Sequence, residues 1–430
     1  METVKKQAAV DRINLIACIG ILAAGVMEVT GYYILGNLTA TVTMLIVEVL
    51  LCLTALAAWK GRMPWLNLLV AGFGFVLGFI TNYAETTSYN WGFYMQMGFA
   101  AASVLLGCIF MLTGKIKCRT FPVTESAVFF LVLLLSLVVW GSCTRGDKNM
   151  TGLARHTVWA VPGMFDSVDA KQQGSVEEIR YATKAYATDE RDVEKRALVY
   201  LPYGYSPETR YNILYLMHGT GDDENYWLST YAYNKTMLDN LIANGDISPL
   251  IVVTPTFYVE DDLKDTGLDP LTYSFREELR NDLMPAVESR YSTFAETADG
   301  EGFAASRDHR AFAGLSRGSV TTLHSAFCGS LDYFSWFGTF SGSRTDAAYF
   351  AETIQSEEFR DLPIHYFYMT SGTFDFALPR QLQDYEGLMS LEPRLKTGVN
   401  TEFDVFPMRY HSMGDWHLAL YNLLQRIFID

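Results

Sequence analysis

The residues of this 430-residue chain with the plainest capacity for chemistry are Gly-Leu-Ser-Arg-Gly-Ser at 314–319, where Gly314, Ser316 and Gly318 form G-x-S-x-G. An apolar strand, Ala311 to Leu315, runs into the serine, and a helix is expected from Arg317. A sharp strand-to-helix turn of this kind lifts a serine hydroxyl from the top of a sheet, and the flanking glycines relieve crowding. A serine nucleophile needs a base, and the base needs an acid to orient it. The chain has seven histidines. His156 precedes the domain core, while His309, His324 and His365 lead into, lie within or open regular elements and read as structural. His218 closes a strand and opens a glycine loop. His411 falls between the last strand and the last helix, where a loop can aim an imidazole, whereas His417 lies in the first turns of that helix. His411 is therefore the expected base.

The acid is expected just past the strand between serine and histidine. Asp375, in SGTFDF after HYFYM, has that position; Asp361 precedes the strand and Asp384 lies in the next helix. Two backbone N–H groups must meet the developing oxyanion. One is expected from Arg317, directly after the nucleophile, and one from Gly219 or Thr220 in LYLMHGTGDDENYW. Trp227, with Tyr226, is placed to wall an acyl pocket, and His218 is a further candidate substrate contact.

Around these residues, apolar β-rich runs alternate with helical patterns, the signature of a mostly parallel sheet covered by helices. Strands are expected at 194–202, 212–218, 250–257, 311–316, 334–340, 365–372 and 401–408, and helices at 232–244, 272–289, 317–328, 345–356, 380–390 and 415–428. This α/β domain is assigned 176–430, with a linker over 146–175 that leads into a first strand.

The first 145 residues are different. Five apolar runs, about 13–35, 38–59, 64–82, 91–113 and 124–143, are each near the roughly 20 residues that a helix needs to cross a bilayer. Trp65, Trp91, Tyr94 and Trp140 sit near their ends, where aromatic rings prefer the interface. Basic residues precede the first run (Lys5, Lys6, Arg12) and fill alternate loops (Lys60, Arg62; Lys115, Lys117, Arg119), while the intervening loops have none. That asymmetry predicts an all-α transmembrane bundle with a cytoplasmic N-terminus and an extracytoplasmic C-terminal domain in the cell membrane. Glu28 and Glu48 fall inside the first two runs, where a carboxylate marks either a polar pathway or an interhelical contact. Cys143 ends the last run in VVWGSC; Trp140 stands where a lipidation site wants a branched aliphatic residue, so an unmodified cysteine is expected.

Charge and cysteine usage narrow the function. Residues 1–148 carry a net +3 and the rest −18, out of −15 for the chain. A domain that acidic repels nucleic acid and anionic lipid surfaces, so the lipid bilayer enters only through the N-terminal helices. Five of the six cysteines (Cys18, Cys52, Cys108, Cys118, Cys143) lie in the apolar part and Cys328 alone in the globular part, so neither a disulfide framework nor a zinc site is expected. No cofactor is expected.

The segments LIVVTPTF, FREELRNDLMPAVESRYSTFAE and GFAASRDHRAFAGLSRGSVTTL, with LMHGTGDDEN, TSGTFDFALP and HSMGDWHLALYNLLQRIF, resemble the feruloyl esterase domains of carbohydrate esterase family 1. The resemblance runs from about residue 194 to the C-terminus. It implies an α/β-hydrolase fold and a serine esterase with no metal in the chemistry, its triad falling on Ser316, Asp375 and His411. Gly414, Trp416 and Tyr421 match the steps that follow the family's histidine, making Trp416 a third candidate substrate contact. The chain departs from the family at Arg317, where relatives usually carry Met, and at Tyr410 before the histidine. The expected function is hydrolysis of carboxylic esters, of acylated carbohydrates, outside the cell, with a small-molecule or oligosaccharide ester as substrate. Acyl transfer to an envelope sugar, or a non-catalytic ligand-binding module on a transporter or sensor, are the alternatives.

Overall fold

The strands of the sheet are the apolar runs of the sequence, and their order follows from which of those runs can tolerate burial on both faces. The computed structural model describes residues 168–228, 234–259, 267–372, 375–406, 409 and 411–429. The five expected spans, with Glu28, Glu48 and Cys143, lie outside the described residues, as does His156. Among the described residues no helix is long and apolar enough to cross a membrane.

Eight strands form one sheet: β1 (Ser175–Lys184), β2 (Asp192–Leu201), β3 (Asn212–Met217), β4 (Leu250–Thr254), β5 (Arg310–Leu315), β6 (Trp336–Phe340), β7 (Tyr366–Gly372) and β8 (Thr401–Phe406). Their spatial order is β1-β2-β4-β3-β5-β6-β7-β8. β1–β2 and β2–β4 pair antiparallel, and every later pair is parallel. This is an α/β-hydrolase-like domain with a mostly parallel sheet. β4 through β8 are buried at every position, as parallel strands covered by helices on both faces must be. β1 instead alternates, with Ile179 and Tyr181 inward and charged residues outward, which suits an antiparallel edge with one wet face.

The covering helices are α1 (Asn234–Asn244), α2 (Leu268–Glu278), α3 (Met284–Glu288), α4 (Gly300–Ala305), α5 (Arg317–Thr321), α6 (Ala347–Ile354), α7 (Leu378–Leu391) and α8 (Met413–Leu424). One apolar cluster packs α2, α3, α6 and α7 against one face of the sheet, and a second packs α1 and α8 against the other. Two helices expected to be continuous change pitch. α2 passes through a π-helical stretch, Leu279–Leu283, into α3, and α5 passes into another, Thr322–Phe327. In the latter case Thr321 and Thr322 donate to the carbonyls of Arg317 and Gly318 at 3.0 and 2.9 Å, the back-bonding that loosens an α-helical ladder. β1 begins where the linker was expected to lead into a first strand, though no range was assigned to it, and the short α4 is absent from the sequence-based assignment.

Polar groups anchor the start of β5, the strand that leads into Ser316. Arg310 opens β5 fully buried and donates to both Glu288 carboxylate oxygens at 2.7 and 2.9 Å. Glu288 also accepts from Tyr215 and Thr293, so its lone pairs are well used. Removing one member of a buried pair leaves the other charge uncompensated, at a cost of about 3–5 kcal/mol. Glu288→Ala is therefore expected to lower unfolding stability by about that amount in urea denaturation, whereas Glu194→Ala, at an exposed pair with Arg180, costs under about 1 kcal/mol.

Candidate active site

Because β5 to β8 are parallel and in register, their C-terminal ends share one edge. Leu315 pairs with Phe340, Phe340 with Thr370, and Gly372 with Phe406. Ser316 leaves β5 at that edge, Asp375 follows β7 by three residues, and the connection holding His411 begins where β8 ends. In open α/β sheets this carboxyl edge is where ligands bind.

Ser316 has φ 50° and ψ −112°, outside the regions an L-residue favours. Such a conformation costs on the order of 1–3 kcal/mol and persists only when the surroundings over-determine it. Here they do. The Ser316 amide donates to the Phe340 carbonyl at 2.7 Å, and its carbonyl accepts from Val320 at 3.2 Å, opening α5. A Cβ on Gly314 would come within 2.4 Å of the Gly318 backbone, and one on Gly318 within 2.4 Å of the Met217 carbonyl. Both glycines of the motif are therefore demanded by backbone packing. A third is demanded as well: a Cβ on Gly342 would lie 2.2 Å from the Ser316 carbonyl oxygen.

The residues expected from sequence to supply the oxyanion donors lie on the loop after β3 and at the start of α5. Gly219 follows buried His218, and a Cβ there would crowd Ser316 Cβ at 3.3 Å, so the loop passes close to the serine. Thr220, next in the chain, is exposed. The Arg317 amide opens a helix that has no side-chain cap at its N-terminus. A helix start is where amide donors face away from the helix and favour negative charge.

Asp375 is fully buried, and its Oδ1 accepts from the Ala377 amide at 2.8 Å. Asp384, considered against it, is engaged by Ser343 and by Arg380 at 3.2 Å; Asp361 is exposed. Of the histidines, His417 is fixed by Asn234 at 2.8 Å, His309 stacks on Phe294 with centroids 3.6 Å apart, and His365 stacks on Trp336 at 5.0 Å. Burial pushes the His324 imidazole down to about 4, with Asp269 opposing, so it is neutral at pH 7. His411 is half-buried. The chain divides into two units, Lys148–Phe406 with Met413–Asp430, and Met1–Asp147 with Pro407–Ser412; Ser316 and Asp375 belong to the former and His411 to the latter.

The three candidate substrate contacts are interior. His218 has no exposed surface; its Nδ1 lies 2.7 Å from the Gly219 carbonyl and its Nε2 2.7 Å from Thr256 Oγ1, and its ring packs on Phe257 and Tyr258. It ties the glycine loop to Thr256. Trp227 is fully buried and donates to the Met217 carbonyl at 2.9 Å, and Trp416 is only 6 % exposed, edge-on to Tyr226. All three are thus packed within the domain around the loop after β3 and α8. The sequence reading missed Gly342, and with it Ser341, which has φ 56° and donates to buried Asp415 at 3.1 Å. The one signal for them was a Ser-Gly pair ending an apolar run. Among the described residues no group of three or more His, Cys, Asp or Glu side chains gathers as a metal site.

A family model described as Esterase, "Putative esterase", matches residues 190–427, more than half of the chain. The chain belongs to this esterase family. Residues 190–427 are accordingly an esterase domain of the serine carboxylic-ester hydrolase type. The chain is 46 % identical over 144 residues to endo-1,4-beta-xylanase Y of Acetivibrio thermocellus. It is 29 % identical over 238 residues to an endo-1,4-beta-xylanase/feruloyl esterase of Xylanibacter ruminicola. These matches cover 34 % and 54 % of this chain but only 12 % and 29 % of those relatives. The feruloyl esterase module from Clostridium thermocellum, solved in complex with sinapinate, superposes with a TM-score of 0.55 at 32 % identity, covering 63 % of this chain and 92 % of that one.

The esterase's elbow geometry yields a direct test. Gly342→Ala pushes a methyl group into the Ser316 carbonyl and must displace Ser316, and a displacement of a reacting group near 1 Å costs roughly 10²-fold in rate. Turnover of p-nitrophenyl acetate is expected to fall about 10²-fold or more. Gly204→Ala, at φ 74° with nothing within 4 Å, is expected to cost stability but leave turnover unchanged.

Proposed function

We propose that this protein is a membrane-anchored, extracytoplasmic serine esterase that hydrolyses acylated carbohydrates, with feruloyl or acetyl esters as the substrate class. The observation that carries the reading is Ser316: a non-glycine residue held at positive φ by close backbone packing at Gly314, Gly318 and Gly342 and by two backbone hydrogen bonds, at the carboxyl edge of the sheet. In the proposed reaction His411 accepts the Ser316 hydroxyl proton as the oxygen attacks the ester carbonyl. Asp375 orients the imidazole and stabilises its protonated form. The amides of Arg317 and of Gly219 or Thr220 hold the oxyanion. Protonated His411 returns its proton to the leaving alcohol, and water, deprotonated by the same imidazole, then releases the acid from the acyl-enzyme.

The feruloyl assignment is supported by the likeness to a feruloyl esterase module and to a xylanase/feruloyl esterase. The membrane assignment is supported by the five apolar runs and by the alternation of basic residues between them.

The full-length protein in detergent is expected to hydrolyse p-nitrophenyl acetate and methyl ferulate, and Ser316→Ala to reduce both by about 10³-fold or more. Asp375→Asn and His411→Ala are expected to fall in the same range, because members of such a unit are non-additive. Undiminished hydrolysis by Ser316→Ala would contradict the mechanism. Protease added outside intact cells is expected to remove the esterase domain; its protection there, with digestion only after lysis, would contradict the topology.

A further inference from the structure

The loop that leaves β6 beside the nucleophile is pinned at nearly every residue. Ser341 donates to Asp415, and the Gly342 carbonyl accepts from Ser319 at 2.5 Å. Ser343 donates to Asp384. Thr345 bonds His324 at 2.8 Å through its side chain and accepts from Arg380 at its carbonyl. Asp346 caps α6 by accepting from the Tyr349 amide at 2.9 Å. Arg344, in the middle of this run, is exposed and takes part in no hydrogen bond or ion pair among the described residues. It stands two residues beyond Gly342, which abuts Ser316, and two residues of chain span at most about 7 Å.

A chain of side-chain contacts runs from Arg317, next to Ser316, to the loop that holds Arg344. Arg317 pairs with Asp269 in the first turn of α2. One helical turn on, Tyr273 stacks on His324 with centroids 3.8 Å apart. His324 in turn meets Thr345 and, at 5.6 Å, the ring of Tyr349, which is 45 % exposed. Burial would raise the Asp269 carboxyl, but Arg317, with Arg344 and His324, holds it below its usual range, so Arg344 acts within electrostatic reach of Asp269.

Each feature constrains the ligand. A guanidinium matches a planar carboxylate with two parallel N–H···O bonds, and a rigid loop lowers the entropy lost in making them. The exposed phenol ring of Tyr349, in the first turn of the helix that follows this loop, offers a flat apolar face with a polar tip, suited to the C–H face of a sugar. In a chain of net charge −15, an anionic ligand needs a local cation such as Arg344 to be held. We propose that Arg344 and Tyr349 form a subsite for the alcohol half of the ester, and that this half is a carboxylate-bearing sugar of the uronic acid class. The inference rests on the reading of Ser316 as the nucleophile of a sugar-ester hydrolase.

The test uses the full-length protein and two acetyl esters, mono-acetylated methyl glucuronoside and mono-acetylated methyl glucoside, which differ only in carboxylate or CH2OH at C6. The wild type is expected to favour the uronate in kcat/KM by roughly tenfold or more, as a charge-assisted hydrogen bond would give. Arg344→Gln is expected to bring the ratio to about one, with Arg344→Lys between the two. Tyr349→Ala is expected to lower both sugar esters together. Because each ratio comes from one preparation, a partly misfolded variant does not disturb it. A ratio near one in the wild type, or one unchanged in Arg344→Gln, would overturn the subsite. Turnover of p-nitrophenyl acetate that depends on Ser316, without uronate preference, defeats this inference alone; absence of that turnover defeats the underlying reading and the subsite with it.

Discussion

The conformation of one residue constrains the rest of this domain. Ser316 sits at φ 50°, and nothing in a serine side chain favours that angle. The strain is held by backbone approaching backbone: Gly318 against Met217 from β3, Gly314 against Gly318, Gly342 against Ser316 itself, and the Ser316 amide tied to Phe340 at the end of β6. Three neighbouring strands thus meet at one peptide, and each must end where it does. Arg310 and Glu288 fix the opposite end of the nucleophile strand, so β5 is clamped at both ends.

That clamp also explains the polar traffic around the elbow. Ser319 reaches across to Gly342, Ser341 reaches to Asp415 in α8, and Arg317 reaches outward to Asp269. The first two tie the loop after β6 to its neighbours, with Asp415 fully buried. The third places a cation where an apolar side chain would be the simpler choice, and binds it to an acid on α2. The chain is acidic overall, yet the residue directly after Ser316 is a guanidinium paired to that acid.

Much of this was legible in the sequence, for physical reasons. Buried parallel strands read as unbroken apolar runs, so β3 to β8 were each found within a few residues. The G-x-S-x-G spacing encodes a steric demand that the structure bears out contact by contact. The range of β1 escaped because an edge strand with a wet face shows only two buried apolar residues among charges, Ile179 and Tyr181. The pitch changes at Leu279 and Thr322 escaped because periodicity registers a helix and not its hydrogen-bond spacing. His218, Trp227 and Trp416 were expected to face a ligand because polar and aromatic residues near a site invite that reading; their burial depends on tertiary neighbours such as Thr256 and Met217 that no local pattern reveals. Gly342 was missed since its partner, Ser316, is 26 residues away and adjacent only across strands.

The central claim is that Ser316 is a chemically activated nucleophile and not a strained turn residue. Reaction of the full-length protein with a small fluorophosphonate, followed by peptide mass spectrometry, tests it directly. The account predicts a single adduct on the peptide containing Ser316, formed on native protein and abolished by prior denaturation. An adduct on a different serine, or none on folded protein, would contradict it.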